Sequence, residues 1–143
     1  MIDARSRYVT DAVSTVGPAR LLTMLYDRLL LDLDRGCSAL VMGDRLTGAS
    51  HLQHAQDIVA ELMSSLDERV WDGGEQLMAI YRYLFTTLVD AGVQGDSEKV
   101  AECRDMVEPL RAAWHAAAQA VSVSAPQTTA ATDAHGAGLL GVG

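Results

Sequence analysis

Aromatic side chains are scarce in this chain: they make up 5 % of its 143 residues, too few for a β-sandwich built on aromatic and β-branched packing. The 49 % of hydrophobic residues are mainly Leu, Ala, Val and Met, which favours helices around an aliphatic core. Only two cysteines occur, Cys37 and Cys103, far apart and in no CxxC pattern; that excludes a disulfide framework or a local zinc site and leaves reduced thiols on core faces. Basic charge is also short. Eleven Lys and Arg against 19 Asp and Glu give a net charge of −8, and with no Lys/Arg cluster to offset the repulsion, nucleic acid is not expected as a partner. No apolar run reaches the roughly 20 residues that span a bilayer. Met1 to Asp11 carries Asp3, Arg5, Arg7 and Asp11 and no signal-peptide core, so the expectation is a cytoplasmic protein without stable membrane insertion.

What is present is helical periodicity, and the fold class it predicts is all-α: an antiparallel four-helix bundle with an N-terminal arm and a disordered C-terminal tail. The arm is 1–16, a mixed stretch without sustained period. Gly17-Pro18 opens a first helix over about 18–42, because proline fits the first helical position; its core stripe is Leu22, Leu25, Tyr26, Leu29, Leu33, Cys37 and Leu40. Gly43-Asp44 ends it and caps a second helix over 44–70, with Leu52, Ala55, Ile58, Val59, Leu62 and Leu66 inward. Asp72 is expected to cap a third helix over 74–91, striped by Leu77, Ile80, Tyr81, Leu84, Leu88 and Ala91 and stopped at Gly92. Asp96, Ser97 and Glu98 begin a fourth helix over 96–120, with Val100, Cys103, Val107, Leu110, Trp114 and Ala117 inward and a bend expected near Asp105 to Pro109. Residues 122–143 turn to Ser, Thr, Ala, Gly and Pro, a composition that predicts disorder.

Chemistry-bearing patterns are few. Di-metal bundles need Glu-x-x-His on two helices, and the sequence has none. His51 and His54, spaced i, i+3 with Asp57 nearby, read as two solvated imidazoles rather than metal ligands. Neither cysteine has a histidine at a local spacing that would activate it, and Gly73-Gly74 lacks the Lys-Ser/Thr of a phosphate loop. No enzyme, metal or cofactor is therefore expected.

The apolar surface exceeds what a bundle needs. At about 100° per residue, Met24 and Leu31 fall opposite Leu22, Leu29 and Leu33. Met78, Phe85 and Val89 widen the arc of the third helix, and Met63 adds to the edge of the second. Each of these could be covered by the arm or by a dimer partner; together they mark a surface for another polypeptide.

The residues also carry a resemblance. Pro18-Ala19-Arg20-Leu21-Leu22-Thr23-Met24-Leu25-Tyr26-Asp27 resembles the P-x-x-L-x-x-M-L-Y-D opening of the FliS family, the flagellin-specific export chaperones. Ala55 to Leu62 with Ser65-Leu66-Asp67 is similar to that family's second helix, and Leu77 with Ile80-Tyr81-Arg82-Tyr83-Leu84 to its third. Leu88-Val89-Asp90-Ala91, Asp96 and Leu110 to Trp114 follow in order, and Tyr8-x4-Val13 stands where the family has a Tyr and a Val ahead of the proline. Gly92 stands where an asparagine is usual, and Pro109 departs from the pattern.

The resemblance implies a four-helix bundle that binds the disordered C-terminal segment of flagellin in the cytoplasm. Covering that segment would prevent premature polymerisation, and the client would pass to the flagellar export gate protein FlhA. The client-binding residues expected on this basis are Tyr8, Val13, Leu21, Met24, Leu31, Met63, Leu77, Met78, Tyr81 and Phe85. Tyr8 and Val13 would fold over one groove in the absence of client. The alternative is a self-associating helical adaptor whose surplus apolar faces meet in a homodimer.

Overall fold

A computed structural model describes residues 17–70 and 72–142, with side chains to Val121. Among the described residues the elements are helices: α1 Pro18–Val41, α2 Arg45–Ser65, α3 Gly74–Gln94 and α4 Ser97–Val142. By its contacts the chain divides into a unit of Met24–Arg111 and a unit of Met1–Thr23 with Ala112–Gly143. Segments of all four helices lie inside the first unit and form a four-helix bundle there. In the second, Gly17 takes φ +81 just ahead of α1, and the Thr23 hydroxyl donates to the Arg20 carbonyl at 2.8 Å.

Side-chain contacts in the Met24–Arg111 unit fix an antiparallel order. Arg111 reaches Asp27 at 2.6 Å and Arg104 pairs with Asp34, so α4 runs against α1. Gln56 donates to the Leu88 carbonyl at 3.5 Å, and Gly92 faces Leu52 and Gln56, so α2 runs against α3. Leu40 lies against Gly48 and Gly36 against Leu52, which sets α1 against α2, and Tyr83 pairs with Glu102 between α3 and α4.

The core forms where the periodic stripes meet. Tyr26, Leu29 and Leu33 of α1, Leu52, Ala55 and Val59 of α2, Leu84, Leu88 and Ala91 of α3, and Val100, Cys103 and Val107 of α4 have no exposed surface. Burying each Leu or Val side chain contributes roughly 1.5–3 kcal/mol. Across the centre the hydroxyls of Tyr26 and Tyr81 meet at 2.7 Å, so two aromatic residues enter an aliphatic core without an orphaned oxygen.

Helix ends differ from the sequence expectations in instructive ways. Asp44 caps α2 as expected, its carboxylate accepting the Thr47 amide at 3.1 Å. That helix stops at Ser65 rather than near residue 70, because the Ser64 and Ser65 hydroxyls bond back to the carbonyls of Glu61 and Leu62 and the chain turns extended at Leu66. Gly73, not Asp72, occupies the N-cap of α3, with no side-chain cap. The same helix passes through Gly92 and ends at Gly95, whose φ of +67 supplies the left-handed cap. Asp96 accepts the Glu98 amide at 3.0 Å to start α4, which continues unbroken through Pro109. The tail expected from residue 122 lies within the backbone range of α4, and its side chains fall outside the described residues.

Candidate functional site

On α1 the core stripe of Tyr26, Leu29 and Leu33 has its opposite in Met24 and Leu31, which are 47 % and 38 % exposed. Seven residues separate them, about 10.5 Å of helix. Charges flank this pair. Asp27 and Asp34 reach Arg111 and Arg104 of α4 on one side, and Arg28 reaches Asp32 at 3.3 Å on the other. Partly exposed ion pairs of this kind add little stability. Their effect is to hold α1 in one rotational setting, with the two apolar side chains outward.

A second apolar surface follows the seam between α2 and α3. The register that sets Gln56 by Leu88 and Leu52 by Gly92 brings Met63 level with Tyr81, between Met78 and Phe85. Met63, Met78 and Phe85 are each half-buried. Where α2 ends, Ser64 to Arg69 and Met78 line a cavity of about 390 Å³. Its wall depends on Gly74: a Cβ there would stand 2.5 Å from the Glu68 Cα and 2.6 Å from its carbonyl oxygen, so only glycine lets the connecting loop lie against the start of α3.

The expected client-binding residues therefore separate into groups. Met24 and Leu31 are exposed, while Met63, Met78 and Phe85 line the seam and Leu21 is half-buried. Leu77 and Tyr81 lie in the core stripe of α3 where the periodicity puts them, at 6 % and 2 % exposure, and Tyr81 spends its hydroxyl on Tyr26. Burial, and then the bond to Tyr26, raises the Tyr81 hydroxyl well above the ordinary phenol range. Tyr8 and Val13 lie outside the described residues.

One polar cluster had no clear sequence signal. Asp32 is fully buried, and among the described residues its Oδ1 accepts no hydrogen bond. His51 and His54 approach that oxygen through Nδ1 at 3.7 and 3.9 Å. The reading of both histidines as solvated is thus corrected for His51, whose side chain is only 24 % exposed. The spacing of Arg28 and Asp32 suggests an ordinary surface pair; only the docking of α2 makes it a buried one. Among the described residues no three His, Cys, Asp or Glu side chains are arranged to hold a metal, and no helix is long and apolar enough to cross a membrane. The Cys103 thiol is pushed up to about 12, by burial first and then by the Glu102 charge, so it is a packed side chain and not a nucleophile.

The chain is similar to known proteins along most of its length. The family model described as flagellar protein FliS matches residues 1–121. A flagellar secretion chaperone FliS of Bacillus subtilis is 30 % identical over 112 residues, covering 78 % of this chain and 84 % of that protein. The protein of the same name from Salmonella typhimurium is 28 % identical over 110 residues, 74 % and 80 % of the two chains. The chain belongs to the FliS family.

Proposed function

We infer that this FliS-family chain is a flagellar secretion chaperone of the cytoplasm. It binds the disordered C-terminal segment of flagellin, prevents its premature polymerisation and delivers it to the flagellar type III export gate protein FlhA. The observation that carries this reading is apolar surface left over after the core has closed: Met24 and Leu31 outward on α1, and Met63, Met78 and Phe85 along the α2–α3 seam. Three of these five are methionines, whose unbranched, polarizable side chains repack against different partners. A disordered client that folds onto such a surface loses part of its contact energy to its own ordering, which keeps the complex releasable. Leu77 and Tyr81 support the seam from beneath.

The test is a titration of a flagellin C-terminal peptide, by calorimetry, into Met78→Asp/Phe85→Asp. Binding should be abolished while far-UV circular dichroism stays helical. Should that variant lose its helicity, Met24→Asp, at a more exposed position, serves instead and should weaken binding. Unchanged affinity in a folded double variant would remove the seam assignment.

A further inference from the structure

A third apolar surface lies at the end of the bundle where the α1–α2 and α3–α4 turns meet. Val41, Met42, Leu46 and Val93 are 70 %, 83 %, 87 % and 73 % exposed there, more open than any of the five client-surface residues named above. The two turns are tied together: Arg45 donates to the Val93 carbonyl at 2.7 Å, and its guanidinium lies over Gly95. Along α2, the 17 residues from Leu46 to Met63 span about 25 Å, and along α3 the eight from Phe85 to Val93 span about 12 Å.

The charges beside this patch are mostly acidic. Asp44, Asp90, Asp96 and Glu98 stand at this end against Arg45 and Lys99, four carboxylates to two cations, with Arg45 held by the Val93 carbonyl and Lys99 by the Gln94 side chain at 3.0 Å. Asp90 lies one turn before Val93 on the same face of α3. The Thr47 hydroxyl and amide hold the Asp44 carboxyl below its ordinary value, so it is charged at neutral pH. A second copy of the chain would set this acidic rim against itself. Four side chains are also few beside the roughly 20–30 residues a side of a stable dimer.

We propose that this end of the bundle docks an amphipathic helix with basic flanks from another protein, its aliphatic stripe on Met42, Leu46 and Val93 and its Lys or Arg residues on the acidic rim.

The probe is a fluorescein-labelled Leu/Lys amphipathic peptide of about four helical turns, titrated by anisotropy against the full chain, with a Leu/Glu peptide of the same length as control. The Leu/Lys peptide should bind and the Leu/Glu peptide should not. Met42→Ser/Leu46→Ser leaves the net charge unchanged at two highly exposed positions and should weaken binding about tenfold or more, a size expected for central apolar anchors. Met24→Ser/Phe85→Ser should leave the affinity within about twofold. Equal binding by the Met42/Leu46 variant would mean charge alone attracts the peptide, and loss of binding in Met24→Ser/Phe85→Ser would place it on the client surface; either overturns the proposal. So would light scattering that shows a dimer dissolved by the Met42/Leu46 substitutions, since the occupant would then be a second copy.

Discussion

Removing the Tyr26 hydroxyl alone should damage the protein more than removing both hydroxyls of the Tyr26–Tyr81 pair. The two oxygens are 2.7 Å apart at sites 0 % and 2 % exposed. Tyr26→Phe takes from the buried Tyr81 hydroxyl its partner at 2.7 Å; an unsatisfied buried hydroxyl costs about 1–3 kcal/mol, whereas deleting both partners is nearly neutral. Taking about 1.5 kcal/mol for Tyr26→Phe and about 0.5 kcal/mol for the double variant, adding Tyr81→Phe to Tyr26→Phe should restore about 1 kcal/mol. In urea unfolding Tyr26→Phe should shift the midpoint down by roughly 0.5–1 M, with the double variant close to wild type. Because the raised Tyr81 hydroxyl stays neutral across the usual buffer range, the result should not depend on pH between about 6 and 9. Client affinity separates the two roles considered for Tyr81: as a core residue, its Phe variant should lose stability and keep binding. A Tyr26→Phe effect below about 0.5 kcal/mol, unrelieved by the second substitution, would refute the buried pair.

Three further outcomes follow from the same geometry. Gly74→Ala should destabilise the fold by about 2 kcal/mol or more, since its new Cβ meets Glu68 backbone that cannot rotate away, and urea unfolding would show it. At pH 8 the Cys103 thiol, pushed up to about 12, holds roughly one thiolate in ten thousand; a chromogenic disulfide reagent should reach it only once the chain unfolds. Asp44 has a folded-state pKa lowered by its bonds to Thr47, so its contribution is present above the ordinary value of 3.8 and lost as pH falls through the lower folded value. The stability gap between wild type and Asp44→Ala should therefore be full at neutral pH and close on strong acidification.

Much of the bundle was legible because core stripes repeat at three and four residues. Tyr26, Leu29, Leu33, Val59, Leu84, Leu88 and Val107 are all buried where that period places them. Periodicity marks an arc but not where the core stops along it. On α3, Leu77, Met78, Tyr81 and Phe85 share one broad apolar face, and only the seating of α2 and α1 makes two of them core and two of them seam. Turn chemistry left a similar ambiguity. Gly92 and Gly95 both read as stop signals, and the left-handed φ is at Gly95, while Gly92 fits inside the helix against Leu52 and Gln56. Asp32 was the least legible of all, because burial of a carboxylate is decided by residues of a different helix, His51 and His54, 19 and 22 positions away.

Copurification with flagellin tests the central claim most directly. Purified chain should retain full-length flagellin and fail to retain flagellin lacking its last roughly 40 residues, a length that could form two or three helices. Equal recovery of the two would contradict a surface built for the C-terminal segment.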